Sequence, residues 1–372
     1  MNRVAFLDYL RALAILPVML THDRVVLAPG GFLGVDVFFV LSGFFITLLL
    51  QRDLPFVANY ASFLVRRMFR ILPLYYLSLV AYLLLMRFVD GVAFADMAGI
   101  SNAFLMLSIP QVEGYRTGYF WTLQVEFWFY LSFPLLFLAL PGRQARSVGL
   151  VVLAAASLYC AAHPAVLGAL RTTLPVAVIQ LVEHASEFMI GGLLALWSTR
   201  IRFARAWQSW VLLMLGAGGL VVFYANTFEL ELFGPHEYLW RFLIASSTGL
   251  VVAAWCGGHL NRIVLPGLSY IGLISYSLYL LHLPMMEFMS NIEAPGQALG
   301  QIAPWLMIHR GLSAGSVIHY VAICAGFAAL TYQFVEKPFI RLGRRVSRLI
   351  ETRAVQPQEA AALLAGKPGT AP

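Results

Sequence analysis

Apolar runs of roughly 18 to 24 residues recur along the chain, at 4–22, 32–50, 71–89, 120–140, 147–163, 174–198, 208–226, 240–258, 265–289 and 314–337. Each is long enough, at about 1.5 Å per residue, to cross a hydrocarbon layer about 30 Å thick. Lipid has to be the solvent for such a chain: of its 372 residues 60% are hydrophobic and only 12% charged, with a mean hydropathy of +0.78, which no water-soluble surface tolerates. The expectation is an all-α polytopic membrane protein with about ten transmembrane helices. The first run contains Asp8 and Arg11 and no small-residue cleavage site follows it, so it is expected to stay as the first helix. Cys160, Cys256 and Cys324 are scattered among predicted helices and suggest neither a disulfide framework nor a thiolate metal site. From Arg353 onward Ala, Pro and Gly dominate, so residues 346–372 are expected to form a disordered cytoplasmic tail behind a single transmembrane domain over 1–345.

The net charge of +7 raises nucleic acid as a partner, and the placement of the basic residues removes it. Of the 25 Lys and Arg, 18 fall in segments on the same side as the N-terminus, among them Arg52, Arg66, Arg67 and Arg70 and the group from Lys337 to Lys367. Six fall on the other side, including Arg171 and Arg241, and Arg11 lies within a span. Cytoplasmic loops collect Lys and Arg, so both termini are expected in the cytoplasm and the chain in the inner (plasma) membrane as a multi-pass protein. Residues 90–119 are then an outer loop.

Ionisable side chains inside spans are costly and normally face a cavity or one another, so they point to function. On the first helix Asp8, Arg11 and His22 lie at about 0°, 300° and 320°, one shared face, with His22 roughly 16 Å beyond Arg11 along the axis. Asp36, Glu126 and the group Glu183, His184 and Glu187 each fall within a few turns of the outer surface, and His282 and His319 reach a similar depth. Guanidiniums crowd the inner mouth. A neutral imidazole can take a proton from an alcohol, and a carboxylate beside it can fix its tautomer and stabilise the imidazolium; His22 with Asp36 or Glu126 fits that pairing. Arg clusters suit phosphate through fork-like charge-assisted hydrogen bonds. Plainer readings stand beside these. Asp8 and Arg11 can simply pair, Arg66, Arg67 and Arg70 can serve as a positive-inside anchor, Glu183, His184 and Glu187 can be a packing network, and Gly30–Gly31 can mark a tight turn.

The order of these residues resembles the acyltransferase 3 family along nearly the whole core. The blocks are Leu7-Asp8-Tyr9-Leu10-Arg11-Ala12-Leu13-Ala14 followed by His22, Gly31 to Phe44 with Asp36 and Ser42 inside it, and Arg67-Met68-Phe69-Arg70. Then come Trp121 to Tyr130 around Glu126, Tyr276 to Pro284 around His282, and Glu336-Lys337-Pro338. Departures fall at Tyr9, where Gly is common, and at Phe45, Leu72 and Leu281, where Leu, Tyr and Trp are common.

The resemblance implies a ten-helix core that uses cytoplasmic acyl-CoA, often acetyl-CoA, as co-substrate. The acceptor it implies is a hydroxyl of an envelope or exported glycan, free or lipid-linked, and in some members a small molecule. Carried over, His22 is the catalytic histidine with Asp36 or Glu126 orienting it. Arg11, Arg67 and Arg70 bind acyl-CoA, while Asp8, Ser42 and His282 support the site. No metal and no nucleic acid are expected. No esterase-like domain is expected after the core, so any second step falls to another protein. The alternative class is a transporter or flippase of a lipid-linked sugar, since intramembrane ionisable groups also mark transport paths; paired halves with interrupted helices are its signature, and none is visible.

Overall fold

The structure, a computed structural model, describes residues 5–22, 30–88, 103, 106, 117–225, 237–260, 265–292 and 314–364. Most of the expected outer loop 90–119, along with His309 and residues 365–372, lies outside them. Among the described residues there are helices and turns and no strand. The α-helices are α1 (Ala5–His22), α2 (Gly34–Leu50), α3 (Phe56–Phe88), α4 (Trp121–Ala139), α5 (Gly142–Ala162), α6 (Pro164–Arg171) and α7 (Val176–Trp197). They continue as α8 (Ala206–Ala225), α9 (Glu237–Cys256), α10 (Pro266–Leu273), α11 (Ser275–Ile292), α12 (Ala314–Thr331) and α13 (Lys337–Leu364), with a π-helical turn at Tyr332–Glu336 before the last.

Every expected apolar run has a helix. Eight helices among the described residues are long and apolar enough to cross a membrane, and a ninth crossing arises if α10 and α11, bent by 69°, act as one span. The expectation was about ten. The run at 4–22 is α1, and α1 is a core helix: Leu7, Ala12, Ile15 and Met19 are fully buried.

Close approach of backbones explains this burial. In lipid, helices associate through packing of small residues because no hydrophobic difference drives them together. A Cβ on Gly31 or Gly34 would overlap the carbonyl oxygens of Pro17 or Ala14, and one on Gly272 would overlap that of Asp8. Gly31 therefore seats the turn before α2 directly on α1, a packing role beyond the turn role read from sequence. The departure at Tyr9 also has a use, since its hydroxyl accepts the Leu265 N–H at 2.7 Å and fastens α1 to the start of α10. Helices α2 and α7 make a reciprocal contact: Gly43 lies against the Phe188 carbonyl and Gly191 against that of Val40. That contact sets the first turns of α2 beside His184 and Glu187.

Two boundaries differ from expectation. Helix α3 begins at Phe56, not near 71, so its 33 residues span about 50 Å and Arg66, Arg67 and Arg70 sit within it. The segment expected as a disordered tail from 346 continues α13 to Leu364. Gly343 packs over Phe69, Ser347 is buried and accepts the Arg66 Nε–H at 2.6 Å, and Glu351 accepts from Arg52 at 2.9 Å and Arg66 at 2.8 Å. The Ala-rich composition behind the disorder reading is equally that of a strong helix former.

Candidate active site

Helices α1, α2, α3, α4 and α11 converge on an open cavity. Five of the nine expected site residues line it: Arg11, Ser42, Arg67, Arg70 and Glu126. Arg67 and Arg70, three residues apart on α3, point to the same side by helical periodicity, while Arg66 turns away to α13. Asp8 pairs with Arg11 at 3.6 Å, and the Arg11 guanidinium lies 4.5 Å over the Phe45 ring. The second departure from the family pattern thus supplies a cation–π seat for a cavity arginine. Arg67 lies over Tyr130 at 5.4 Å, and its buried Nε has no hydrogen-bond partner among the described residues. An orphaned, desolvated guanidinium donor is costly unless a ligand meets it.

Glu126 is held by two hydroxyl donors, Ser42 Oγ at 2.5 Å and Tyr130 at 2.9 Å. Ser42 thereby acquires a definite contact, and Tyr130, given no role in the sequence reading, was signalled by its place at the end of the Trp121–Tyr130 block and by its i+4 spacing from Glu126. Glu336, delivered by the π-helical turn, is buried, accepts from Ser277 at 3.1 Å and is close enough to Arg70 and Arg11 to act on both electrostatically. Its sequence signal was the Glu336-Lys337-Pro338 block, which carried no role there.

Asp36 and His282 do not line the cavity. Helix α1 ends at His22, whose side chain is outside the described residues. Asp36, expected as one of two carboxylates for His22, is fully buried and accepts from Arg241 at 2.9 Å, with His184 at 3.9 Å. His282 is fully buried with its Nδ1 2.7 Å from the Tyr279 carbonyl; a carbonyl only accepts, so Nδ1 carries a proton. Its ring packs against Tyr119 and Tyr279, and it does not line the cavity. Arg241 was read as one outer-loop cation. It stands in the second turn of α9, paired with Glu237 at i−4 as well as with Asp36.

A helical scaffold with eight or nine candidate membrane spans among the described residues, around a cavity of arginines, a carboxylate and hydroxyls, defines the class: a polytopic membrane protein. The chain belongs to the acyltransferase 3 family, whose model, described as an acyltransferase domain, matches residues 4–335.

Among its relatives, YrhL of Bacillus subtilis, named as a peptidoglycan O-acetyltransferase, is 28% identical over 91% of this chain and 55% of its own length. The peptidoglycan O-acetyltransferase OatA of Listeria monocytogenes is 26% identical over 91% of this chain and 56% of its own length. BcsY of Komagataeibacter xylinus, named as a membrane-bound transacylase, is 27% identical over 90% and 83%. The chain thus spans about half the length of the first and second of these. No solved structure matches it.

Proposed function

We propose that this protein moves an acyl group, acetyl by analogy with the named relatives, from acyl-CoA on the cytoplasmic side to a hydroxyl of an envelope or exported glycan. The carrying observation is the cavity in which Arg11, Arg67 and Arg70 face the Glu126 carboxylate and its hydroxyl donors, with Arg67 Nε lacking a hydrogen-bond partner among the described residues. Guanidiniums so placed suit the phosphates of CoA, and a slender pantetheine arm suits a passage between helices. The end where Arg52 and Arg66 meet α13 is taken as the cytoplasmic mouth on the charge pattern.

His22 follows the family resemblance as the base that takes the acceptor's hydroxyl proton, or as a transient acyl carrier. As base, it lets the acceptor oxygen attack the thioester carbonyl; the C–S bond breaks and the thiolate leaves with the proton that the imidazole returns. A peptidoglycan-type acceptor is the first candidate because two of the relatives bear that name.

The test is thermal unfolding of purified protein across a CoA titration, with transfer of label from acetyl-CoA measured beside it. A ligand at 100 times its Kd stabilises by about 2.7 kcal/mol. A midpoint that does not move with CoA, together with no label transfer to a glycan acceptor, overturns the proposal in favour of transport. Normal transfer by His22→Ala overturns the role given to that residue alone.

A further inference from the structure

Three carboxylates and one guanidinium meet where α2, α7 and α9 pack. Asp36 on α2, Glu187 on α7 and Glu237 on α9 carry three negative charges against the single positive charge of Arg241. Asp36 and Glu187 are fully buried, and Arg241 bonds Asp36 Oδ1 at 2.9 Å and Glu237. Among the described residues, the other groups facing the cluster do not change the count. Glu183 is matched by Arg171 at 3.1 Å, Tyr224 on α8 is neutral, and the faces of His184 are covered by Phe39 and Trp121 with ring centroids 5.2 and 5.0 Å away. The Glu237 side chain is 41% exposed, so with a neutral imidazole the two buried carboxylates share one guanidinium, and one uncompensated negative charge is left in a desolvated setting, which is unfavourable.

The donor atoms are arranged to resolve that imbalance with a cation. One atom each from Asp36, His184 and Glu187 lies within 4.8 Å of the other two. His184 Nδ1 is 3.1 Å from both Glu187 oxygens and 3.9 Å from Asp36 Oδ1. Ligand atoms at about 2.0–2.1 Å from a tetrahedral metal stand about 3.3 Å from each other. Asp36 Oδ2 is buried with no hydrogen-bond donor facing it among the described residues, and the Glu187 carboxyl is within hydrogen-bonding reach of Asp36. Two acceptors turned toward each other require a proton or a metal between them. Arg241 holds Oδ1 from outside and leaves Oδ2 for the ion, which is how outer partners orient ligating carboxylates.

We propose that Asp36, His184 and Glu187 bind one divalent first-row metal ion, with Zn²⁺ and Mn²⁺ the best fits to one imidazole and two carboxylates. The ion cancels the charge excess and ties α2 to α7. It lies one aromatic layer from the cavity, because Phe39 lines that cavity and packs edge-on to His184. Three protein ligands leave a fourth position for water. A metal here departs from the sequence expectation of none, in which Glu183, His184 and Glu187 could be a packing network; what the sequence could not show is that Asp36, about 150 residues earlier, joins His184 and Glu187.

The test uses full-length protein carrying an affinity tag without histidines, purified without chelator. Elemental analysis should find about one equivalent of Zn or Mn per chain. Chelator-stripped protein titrated with ZnCl2 or MnCl2 should show a rise in unfolding midpoint that saturates near one equivalent. His184→Gln and Glu187→Gln should each weaken binding at least about tenfold. A flat midpoint together with negligible metal content means that protons hold the carboxylates, and it overturns the site, as does metal retained equally in both variants.

Should those variants fail to fold, Co²⁺ added to stripped wild type should quench emission from Trp121, read as the difference from Trp121→Phe. The absence of that difference overturns the placement.

Discussion

The cavity and the acidic cluster are complementary opposites within one helical scaffold. In the cavity the orphaned atom is a donor, Arg67 Nε; in the cluster it is an acceptor, Asp36 Oδ2. The cavity opens between α1, α2, α3, α4 and α11 and gathers guanidiniums around a carboxylate that two hydroxyls already hold. The cluster closes between α2, α7 and α9 and gathers carboxylates around one guanidinium. Helix α2 serves both, because Asp36 in its first turn and Ser42 six residues later differ by about 120° of rotation when each residue turns by about 100°. The lesson is that intramembrane charges read from sequence as one site divide into two when the helices pack, each with a different missing partner.

Removing Arg241 should separate the two regions most sharply. Arg241→Gln strips the guanidinium from buried Asp36 and Glu187, and breaking a buried pair from one side typically costs about 3–5 kcal/mol. A large fall in unfolding midpoint is expected by thermal scan, while the surviving folded fraction keeps its response to CoA. A CoA response lost in proportion would merge the two regions into one.

Arg67→Gln should do the reverse. It leaves the charge balance of the cluster alone and removes a charge-assisted donor to phosphate, of a kind that contributes about 1.5–3 kcal/mol, so affinity for acyl-CoA should fall by up to about 100-fold. The CoA titration measures it, and an affinity within a few-fold of wild type would take Arg67 out of the site.

A smaller effect is expected for Ser42→Ala, which deletes one of two donors to Glu126 and leaves Tyr130. Hydrogen bonds to charged groups contribute about 1.5–3 kcal/mol, so turnover should fall by roughly tenfold or somewhat more, with affinity for CoA little altered.

The smallest change belongs to Arg66→Gln. Its partner Glu351 is a solvent-bordering residue of α13, and such pairs contribute about 1 kcal/mol or less. Turnover should stay within about twofold. A loss of affinity matching that of Arg67→Gln would show that Arg66 acts together with the paired arginines Arg67 and Arg70, against the division of roles seen in α3.

Sequence alone determined the solvent and the secondary structure. Uniform apolar runs leave the backbone no option in lipid except to satisfy its own hydrogen bonds, and every expected run is a helix. It also marked Arg11 and Glu126, because charges inside apolar runs are costly enough to stand out, while Arg67 and Arg70 were marked as an inner-mouth cluster and Ser42 only through the family block. The assignment of partners was decided only by tertiary packing. Asp36 meets Arg241 at a separation of 205 residues, and no periodicity carries information over such distances. The burial of α1 and the extension of α13 past residue 346 likewise depend on neighbouring backbones, through Gly31, Gly34 and Gly272 on one side and Phe69, Arg52 and Arg66 on the other. Periodicity records which residues share a face of one helix; which face another helix will cover is settled by close packing, which depends on the whole set of helices at once.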